Sequence, residues 1–267
     1  MGFVEGLVPK GLWELFRAVR PPIPTRPQGG GRRRADDRAV LAAIIFIATS
    51  GCTWRQLPPV FGASWQTVHR RFSEWSAARV WAKLHRLVLD ELGARGDLDR
   101  SRCAIDSVNM RALKGGKLTG PNPVDRGKKG SKIHLITERT GLPLSVGISA
   151  ANTHDSQALE PLVRGIPPIR SRRGPRRRRP AKLHGDKGYD YDHLRKWLRS
   201  RNITPRIARK GIESSQRLGR HRWTVERTMA WLSGCRRLHR RYERKAECFL
   251  AFAGIAATLI CYRRLTN

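Results

Sequence analysis

Near residue 98 the apolar residues of this 267-residue chain change their period. Up to that point they recur at helical spacing. Beyond it they gather into short runs bounded by turn-forming or charged residues, which is the pattern of strands. A chain with such a switch is expected to fold as an all-α region, residues 1–98, followed by an α/β region, residues 99–267.

In the first region Leu12, Leu15, Phe16 and Val19 predict a helix over residues 10–20, ended by Pro21, Pro22 and Pro24. A Gly- and Arg-rich linker, Gln28 to Arg34, follows. Val40, Leu41, Ile44, Ile45, Ile47 and Ala48 predict a mostly buried helix that Gly51 stops. After a turn around Pro58, Pro59 and Gly62, Ser64 is expected to cap a helix with the apolar stripe Trp65, Val68, Phe72 and Trp75. Its other face carries Gln66, Thr67, Arg70 and Arg71. A helix, a tight connection and a second helix with amide, hydroxyl and guanidinium groups outward is the arrangement of a helix-turn-helix reader of DNA. The competing reading is a small bundle with a solvated basic face. A helix over 82–92 completes the region.

In the second region strands are expected over 103–108, 131–137, 142–149, 181–186 and 203–207, with helices over 156–163, 191–198 and 220–232. Three strands, a helix, then strand, helix, strand, helix is the order of an RNase H-like domain: a mixed five-stranded sheet with flanking helices. In such a sheet the first and fourth strands are neighbours. The insert 170–180, with Arg172, Arg173, Arg176, Arg177, Arg178 and Arg179, reads as a solvated loop too polar to pack. The apolar run from Cys248 to Tyr262 is short for a bilayer span and is closed by Arg263 and Arg264, so we read it as a buried helix and expect no membrane partner.

Charge narrows the partner. Fifty-four Lys and Arg against 21 Asp and Glu leave a net +33, an excess that a polyanion must neutralise. Double-stranded DNA is the expected partner, bound by an attraction that weakens with salt. A protein that merely coats nucleic acid fits poorly, because 39% of the residues are hydrophobic and eight are Trp, enough for a true core. The five cysteines form no close pair, which suggests neither a zinc site nor a disulfide framework and points to a reducing cytoplasm. Glu5, Lys10 and Glu14 interrupt the first apolar stretch and argue against a secretory signal.

Three acids stand out. Asp106 sits within the strand-like run Ala104-Ile105-Asp106-Ser107-Val108, where a buried charge without a partner costs several kcal/mol, so a cation is expected beside it. Asp186 ends the run Leu183-His184-Gly185-Asp186, with Gly185 and Gly188 allowing a close turn. Glu226 borders the packing stripe Val225, Met229 and Leu232. Each acid alone is more simply a cap, a turn residue or a surface pair, and Arg222 with Glu226 at i,i+4 is an ordinary example. Together, from three separate elements, they have the composition of a two-cation phosphodiester site, with ions roughly 3.5–4 Å apart. Asp155, after Asn152 and His154, is expected to cap a helix, and His184 to pack near the metal site, since Mg²⁺ prefers oxygen ligands.

Six stretches carry a family resemblance. They are Ala104-Ile105-Asp106-Ser107, Gly120-Pro121-Asn122-Pro123-Val124-Asp125-Arg126-Gly127, Gly130-Ser131-Lys132, Ala151-Asn152-Thr153-His154-Asp155, Asp186-Lys187-Gly188-Tyr189-Asp190 and Arg220-His221-Arg222-Trp223-Thr224-Val225-Glu226-Arg227. Together they resemble insertion-sequence transposases of the fifth insertion-sequence family, within the DDE superfamily. Trp54 to Pro58 and Arg236 to Arg244 extend the likeness over nearly the whole chain. The resemblance implies an RNase H-like core, two Mg²⁺ or Mn²⁺ ions, and Asp106, Asp186 and Glu226 as the catalytic triad. It implies binding of transposon ends, metal-dependent cleavage, strand transfer to target DNA, and a dimer on DNA. The alternatives are a basic sequence-specific DNA-binding regulator and a metal-dependent nuclease that joins nothing.

A related family has a Tyr, Arg, Glu, Lys signature around its catalytic Glu. Arg222 and Glu226 match it, whereas Gly219 and Ser233 stand at the Tyr and Lys positions, so those two roles are not carried over. Arg236 or Arg237, a turn later, is the expected substitute for the Lys. The DNA contacts expected are Gln66, Thr67, Arg70 and Arg71 on the reader helix, and Lys132, Lys187, Arg222, Arg236 and Arg237 around the acids.

Overall fold

Proline, glycine and capping side chains divide the first hundred residues into helices much as their chemistry requires. The computed structural model describes residues 2–23, 34–211 and 215–266, with 215–222 as backbone only. Most of the expected Gly- and Arg-rich linker and the side chain of Arg222 lie outside the described residues. Helices α1 (Phe3–Leu7) and α2 (Lys10–Val19) precede α3 (Asp37–Ser50), α4 (Trp65–Ala77) and α5 (Val80–Arg95). The Asp36 carboxylate caps α3 by accepting from the Ala39 amide at 2.9 Å, and Gly51, at φ 74°, ends it in the left-handed region. Ser64 caps α4 as expected, accepting from the Thr67 amide. Asp37, buried at the start of α3, takes Arg20 at 2.6 Å and Arg34 at 2.9 Å, tying the end of α2 to α3.

The link between α3 and α4 differs from expectation. Residues 51–64 separate them and contain two 3-10 turns, Trp54–Gln56 and Pro59–Phe61, so the connection is not the tight turn of a helix-turn-helix. Thr53 and Gln56 form a reciprocal capping box, and Trp54 packs against His69 and Phe72, which makes this stretch a structured element in its own right.

The helical region does not close on itself. Phe72 of α4 stacks on Phe252 at 4.6 Å, and Phe252 belongs to α9 (Ala246–Thr266), the last helix of the chain. Among the described residues α9 alone is long and apolar enough to cross a membrane, yet Phe249, Phe252, Ala253, Ala256 and Cys261 are fully buried within the fold. It is the buried helix that its composition suggested, packed against α3, α4 and α5 and against the sheet.

That sheet contains β1 (Cys103–Arg111), β2 (Gly120–Pro121), β3 (Lys129–Thr137), β4 (Pro143–Ala150), β5 (Lys182–Gly185) and β6 (Thr204–Ile207). Its order is β4-β3-β1-β5-β6, with the short β2 also on β3. The pairs β1/β3 and β3/β4 are antiparallel; β1/β5 and β5/β6 are parallel. The helices α6 (Ser156–Gly165) and α7 (Asp192–Ser200) make the two crossovers, and α8 (Ser215–Ser233) follows β6. This is the RNase H-like order, with the first and fourth of the expected strands side by side. The sixth strand, β2, was not anticipated, because a Gly-Pro pair has no apolar alternation to reveal it.

The arginine insert also departs from a solvated loop. Asp90, buried in α5, accepts from the Arg170 amide at 2.8 Å and from Arg176 Nη1 at 2.6 Å. Ile169 and Arg177 exchange backbone hydrogen bonds at 2.9 and 2.8 Å. A buried carboxylate thus anchors a short hairpin from which Arg172, Arg173, Arg177, Arg178 and Arg179 stand exposed.

Two buried histidines give the fold a pH signature. His85, whose Nε2 lies 2.9 Å from the Pro143 carbonyl, is held at about 4 by burial. His134 is also lowered to about 4, chiefly by burial, with Asp155 opposing and Lys132 reinforcing the shift. Both are neutral in the native state and bind protons more readily when unfolded, near pH 6.5. Their contribution is complete above that value and is lost as pH falls towards about 4. The unfolding free energy should therefore drop across this window by up to about 1.4 kcal/mol per pH unit for each histidine. A His85→Gln protein should show roughly half that slope in a urea titration series, and an unchanged slope would remove His85 from the account.

Candidate active site

β1 is apolar and buried at its start, with Ile105 fully enclosed, and becomes partly exposed from Asp106 onward. In the parallel ladder Ala104 pairs with His184. Asp106 lies two residues further along β1, and Asp186 two beyond His184, one past the end of β5 with its backbone still extended, so alternation puts both on the same face as that pair. Ser107, one residue on, faces the opposite side, where it meets the start of α6. Asp186 lies just past β5 and heads the 3-10 turn Lys187–Tyr189, accepting from the Gly188 amide at 2.9 Å. A Cβ at Gly188 would stand 3.0 Å from that carboxylate oxygen, so glycine keeps the turn close. Asp106 Oδ1 accepts from the Ser107 amide at 2.8 Å.

The third acid comes from α8, which packs against β1, β3 and β5. Val225 and Leu232 are buried, Thr228 Oγ1 donates to the Gly141 carbonyl at 2.5 Å, and Arg227 donates to the Thr140 carbonyl at 2.5 Å. These bonds fix the helix to the β3/β4 turn while Glu226 stays exposed. Three carboxylates make an all-oxygen donor set suited to a hard divalent cation. The fold brings Asp106 and Asp186 to one face of neighbouring strands. Among the described residues, however, no three His, Cys, Asp or Glu side chains are gathered closely enough to hold a metal ion. Outside Glu226, the guanidinium of Arg227 lies between the exposed rings of Trp223 and Trp231, at 4.5 and 4.6 Å, a ladder that the apolar pattern of α8 did not reveal.

With this arrangement established, comparison with known proteins is decisive. The family described as "Transposase DDE domain" matches residues 97–261, and that described as "Putative transposase of IS4/5 family" matches residues 8–85. The chain belongs to the DDE transposases of insertion sequences. It is 44% identical over 166 residues to the "Putative transposase for insertion sequence element IS402" of Burkholderia cepacia, covering 62% of this chain and 77% of that one. It is 40% identical over 114 residues to the "Insertion element IS402 uncharacterized 16.2 kDa protein" of the same organism, covering 42% and 78%. Among solved structures, the "Crystal structure of the Mos1 Strand Transfer Complex" aligns over 94% of this chain and 84% of the other at 11% identity and a TM-score of 0.30. So loose a likeness leaves the architecture to rest on the strand order above.

Placed on this DNA transposase, the expected DNA contacts divide. Gln66 is exposed on α4 and Thr67 half-buried, with Ser64 Oγ donating to its hydroxyl at 3.1 Å. The Arg70 side chain is 67% exposed, 3.8 Å from Glu74. Arg71 is not on that outer face. Positions 68, 71, 72 and 75 share one side of a helix, so Arg71 is buried beside Phe72 and Trp75 and pairs with Glu74 at 3.2 Å. Lys187 is partly exposed next to Asp186, and Arg236 is exposed. Arg237 is buried instead, bound to Glu243 at 2.7 Å and to the Cys52 carbonyl at 3.1 Å. Lys132 is likewise buried. Neither Lys132 nor Arg237 lies on the exposed surface.

Lys132 explains a further correction. Asp155 precedes α6 but makes no capping bond. Its Oδ1 accepts from Lys132 Nζ at 2.9 Å and from Ser107 Oγ at 2.8 Å, while Lys132 also donates to the Thr153 carbonyl at 2.8 Å. A buried ammonium needs a counter-charge more than a helix end at the surface needs a cap. The signal available in sequence was a lysine inside an apolar strand. The pair should be worth roughly 1–3 kcal/mol, so Asp155→Ala and Lys132→Met, combined in a double-mutant cycle, should show a coupling above about 1 kcal/mol in denaturant unfolding. A helix cap would show none.

Proposed function

We propose that this transposase reads the ends of its insertion sequence with α4, cuts there, and joins the freed 3′ ends to target DNA at one site formed by Asp106, Asp186 and Glu226. The register of β1 on β5, with Ala104 opposite His184, is the observation that supports this assignment most directly. Residues 1–98 serve in it as the DNA-binding region and residues 99–267 as the catalytic one. Two Mg²⁺ or Mn²⁺ ions, held by the three carboxylates, would supply Lewis acidity towards the attacking and leaving oxygens.

The chain's own groups do the positioning. The Ser107 amide orients Asp106 and the Gly188 amide orients Asp186. Lys187 and Arg236 are suited to hold the phosphates on either side of the reacting one. In the first step water attacks phosphorus, the P–O3′ bond breaks, and the 3′ oxygen leaves with the electron pair and takes up a proton. In the second, that 3′ hydroxyl attacks phosphorus in the target strand, which releases its own 3′ oxygen. No covalent protein intermediate is required. Two copies on DNA, one for each end, complete the reaction.

Glu226→Gln keeps size and helix propensity but removes the charge. It should fold, bind end DNA as before, and lose strand cleavage by several orders of magnitude. Asp106→Asn and Asp186→Asn should match it, and the double replacement should add little, because the acids act as a unit. Cleavage of a labelled end fragment in Mg²⁺ and in Mn²⁺ decides the matter: near wild-type cutting by Glu226→Gln removes the site, and cutting without joining makes the protein a nuclease.

For the reader helix, Arg70→Ala should reduce discrimination between end DNA and unrelated DNA by about 1–3 kcal/mol if the guanidinium reaches a base edge. Arg71→Ala, at the buried position, should lower stability and leave that ratio unchanged. Gel-shift titrations on both duplexes at matched salt separate the two.

A further inference from the structure

The face that carries Asp106 and Asp186 continues backward, towards the start of the parallel strands, into a recess of about 450 Å³. Ser101, Arg102, Arg139, Lys182, His184 and Arg206 line it. His184 pairs with Arg206 across β5 and β6, so alternation sets Lys182, His184 and Arg206 on the side of the sheet that Asp186 occupies. His184 lies one two-residue step from Asp186, roughly 6.6 Å along a strand. Asp99 pairs with Arg139 at 3.1 Å. Lys182 and Arg206 are exposed and, among the described residues, neither has an acidic partner within ion-pair distance. Lys182 and Arg206 beside so small a space repel each other unless an anion joins them.

The cationic surface extends past the rim. Arg100, just before the recess, is close enough to Arg177 of the Asp90-anchored hairpin for the two charges to oppose each other. Basic groups thus line the recess and stand on the arginine hairpin near it. Its dominant groups are ammonium and guanidinium, which suit phosphate oxygens, and no side-chain amide lines the recess. The face of α4, with its amide and hydroxyl, is the one equipped to read sequence.

We propose that this recess binds the phosphodiester backbone of the target duplex, the DNA of arbitrary sequence into which the element is joined. The inference rests on the transposition reading above and adds a second DNA site, built from Lys182 and Arg206, separate from the end-reading helix.

The test is capture of a second duplex by the full-length protein already bound to its end DNA, without divalent cation, using a fluorescent duplex of unrelated sequence. Lys182→Gln combined with Arg206→Gln should weaken capture roughly tenfold or more and make the log-log salt slope shallower by about 1.8, two phosphate contacts' worth. End binding should remain within about twofold and the thermal midpoint unchanged. Lys182→Arg with Arg206→Lys, which keeps both charges, should retain capture. If the double variant does not fold, Arg206→Gln alone should change the slope by about 0.9. Unchanged capture overturns the proposal, and so does equal weakening of end binding, which would assign the recess to end DNA. Capture needs no cutting, so failure of the wild-type protein to cleave would count against the catalytic reading and leave this measurement standing.

Discussion

β1 has partners of two kinds, and the length of each ladder determines what its middle can carry. The antiparallel ladder to β3 runs from Ala104 to Arg111, while the parallel ladder to β5 covers only Cys103 and Ala104. Where β5 ends, β1 loses cover on that side, so Ile105 is sealed and Asp106 partly exposed. A carboxylate is tolerated in the central strand because it falls where the neighbouring strand has just turned away. The same divergence leaves Asp186 at the carboxyl end of β5, and in open α/β sheets ligands bind in the crevice outside such strand ends.

A surplus of 33 positive charges leaves little room for acids, and the fold spends many of them on its own joints. Asp37 joins α2 to α3, Asp90 anchors the arginine hairpin, and Asp155 neutralises Lys132. Asp190 binds Arg195, and Glu243 binds Arg237. Glu138 accepts from the Thr140 and Leu142 amides and closes the β3/β4 turn. A chain that commits its carboxylates to internal contacts leaves its outer surface to Lys and Arg, which is the distribution a DNA-binding protein needs.

What was legible in the sequence follows from the range of the interactions concerned. Periodicity is local, so the main helices and five strands could be read, and the succession of strands and helices pointed to the RNase H-like sheet order. That order sets the strand of Asp106 beside the strand that Asp186 follows. The partner of a buried charge is a distant residue, and no local rule names it. Asp155 looked like a cap, Arg71 like an outward guanidinium and Arg237 like a DNA contact, and each is claimed by a neighbour instead. The two-residue β2 and the five-residue α1 are too short to show a period. Residues 51–64 contain prolines and glycines that resemble a plain turn, whereas the capping box at Thr53 and the packing of Trp54 give them defined structure.

The segment that follows α8 is fastened to the N-terminal helical region at several points. Arg237 donates to the Cys52 carbonyl, just past α3, and a Cβ at Gly51 would lie 2.8 Å from that of Arg236. Three residues beyond Glu243, α9 begins and passes among α3, α4 and α5, and it lies against β4 as well. Phe252 therefore fills the same core that holds Phe72 and Trp54. Removing residues 99–267 would strip the apolar faces of α4 and α5 of the helix that covers them, and a fragment so exposed has lost part of its own core. The two regions thus share their stability. α4 and the sheet that carries Asp106, built on one continuous core, are held at a fixed separation by close packing, because packed interiors transmit displacement with little give.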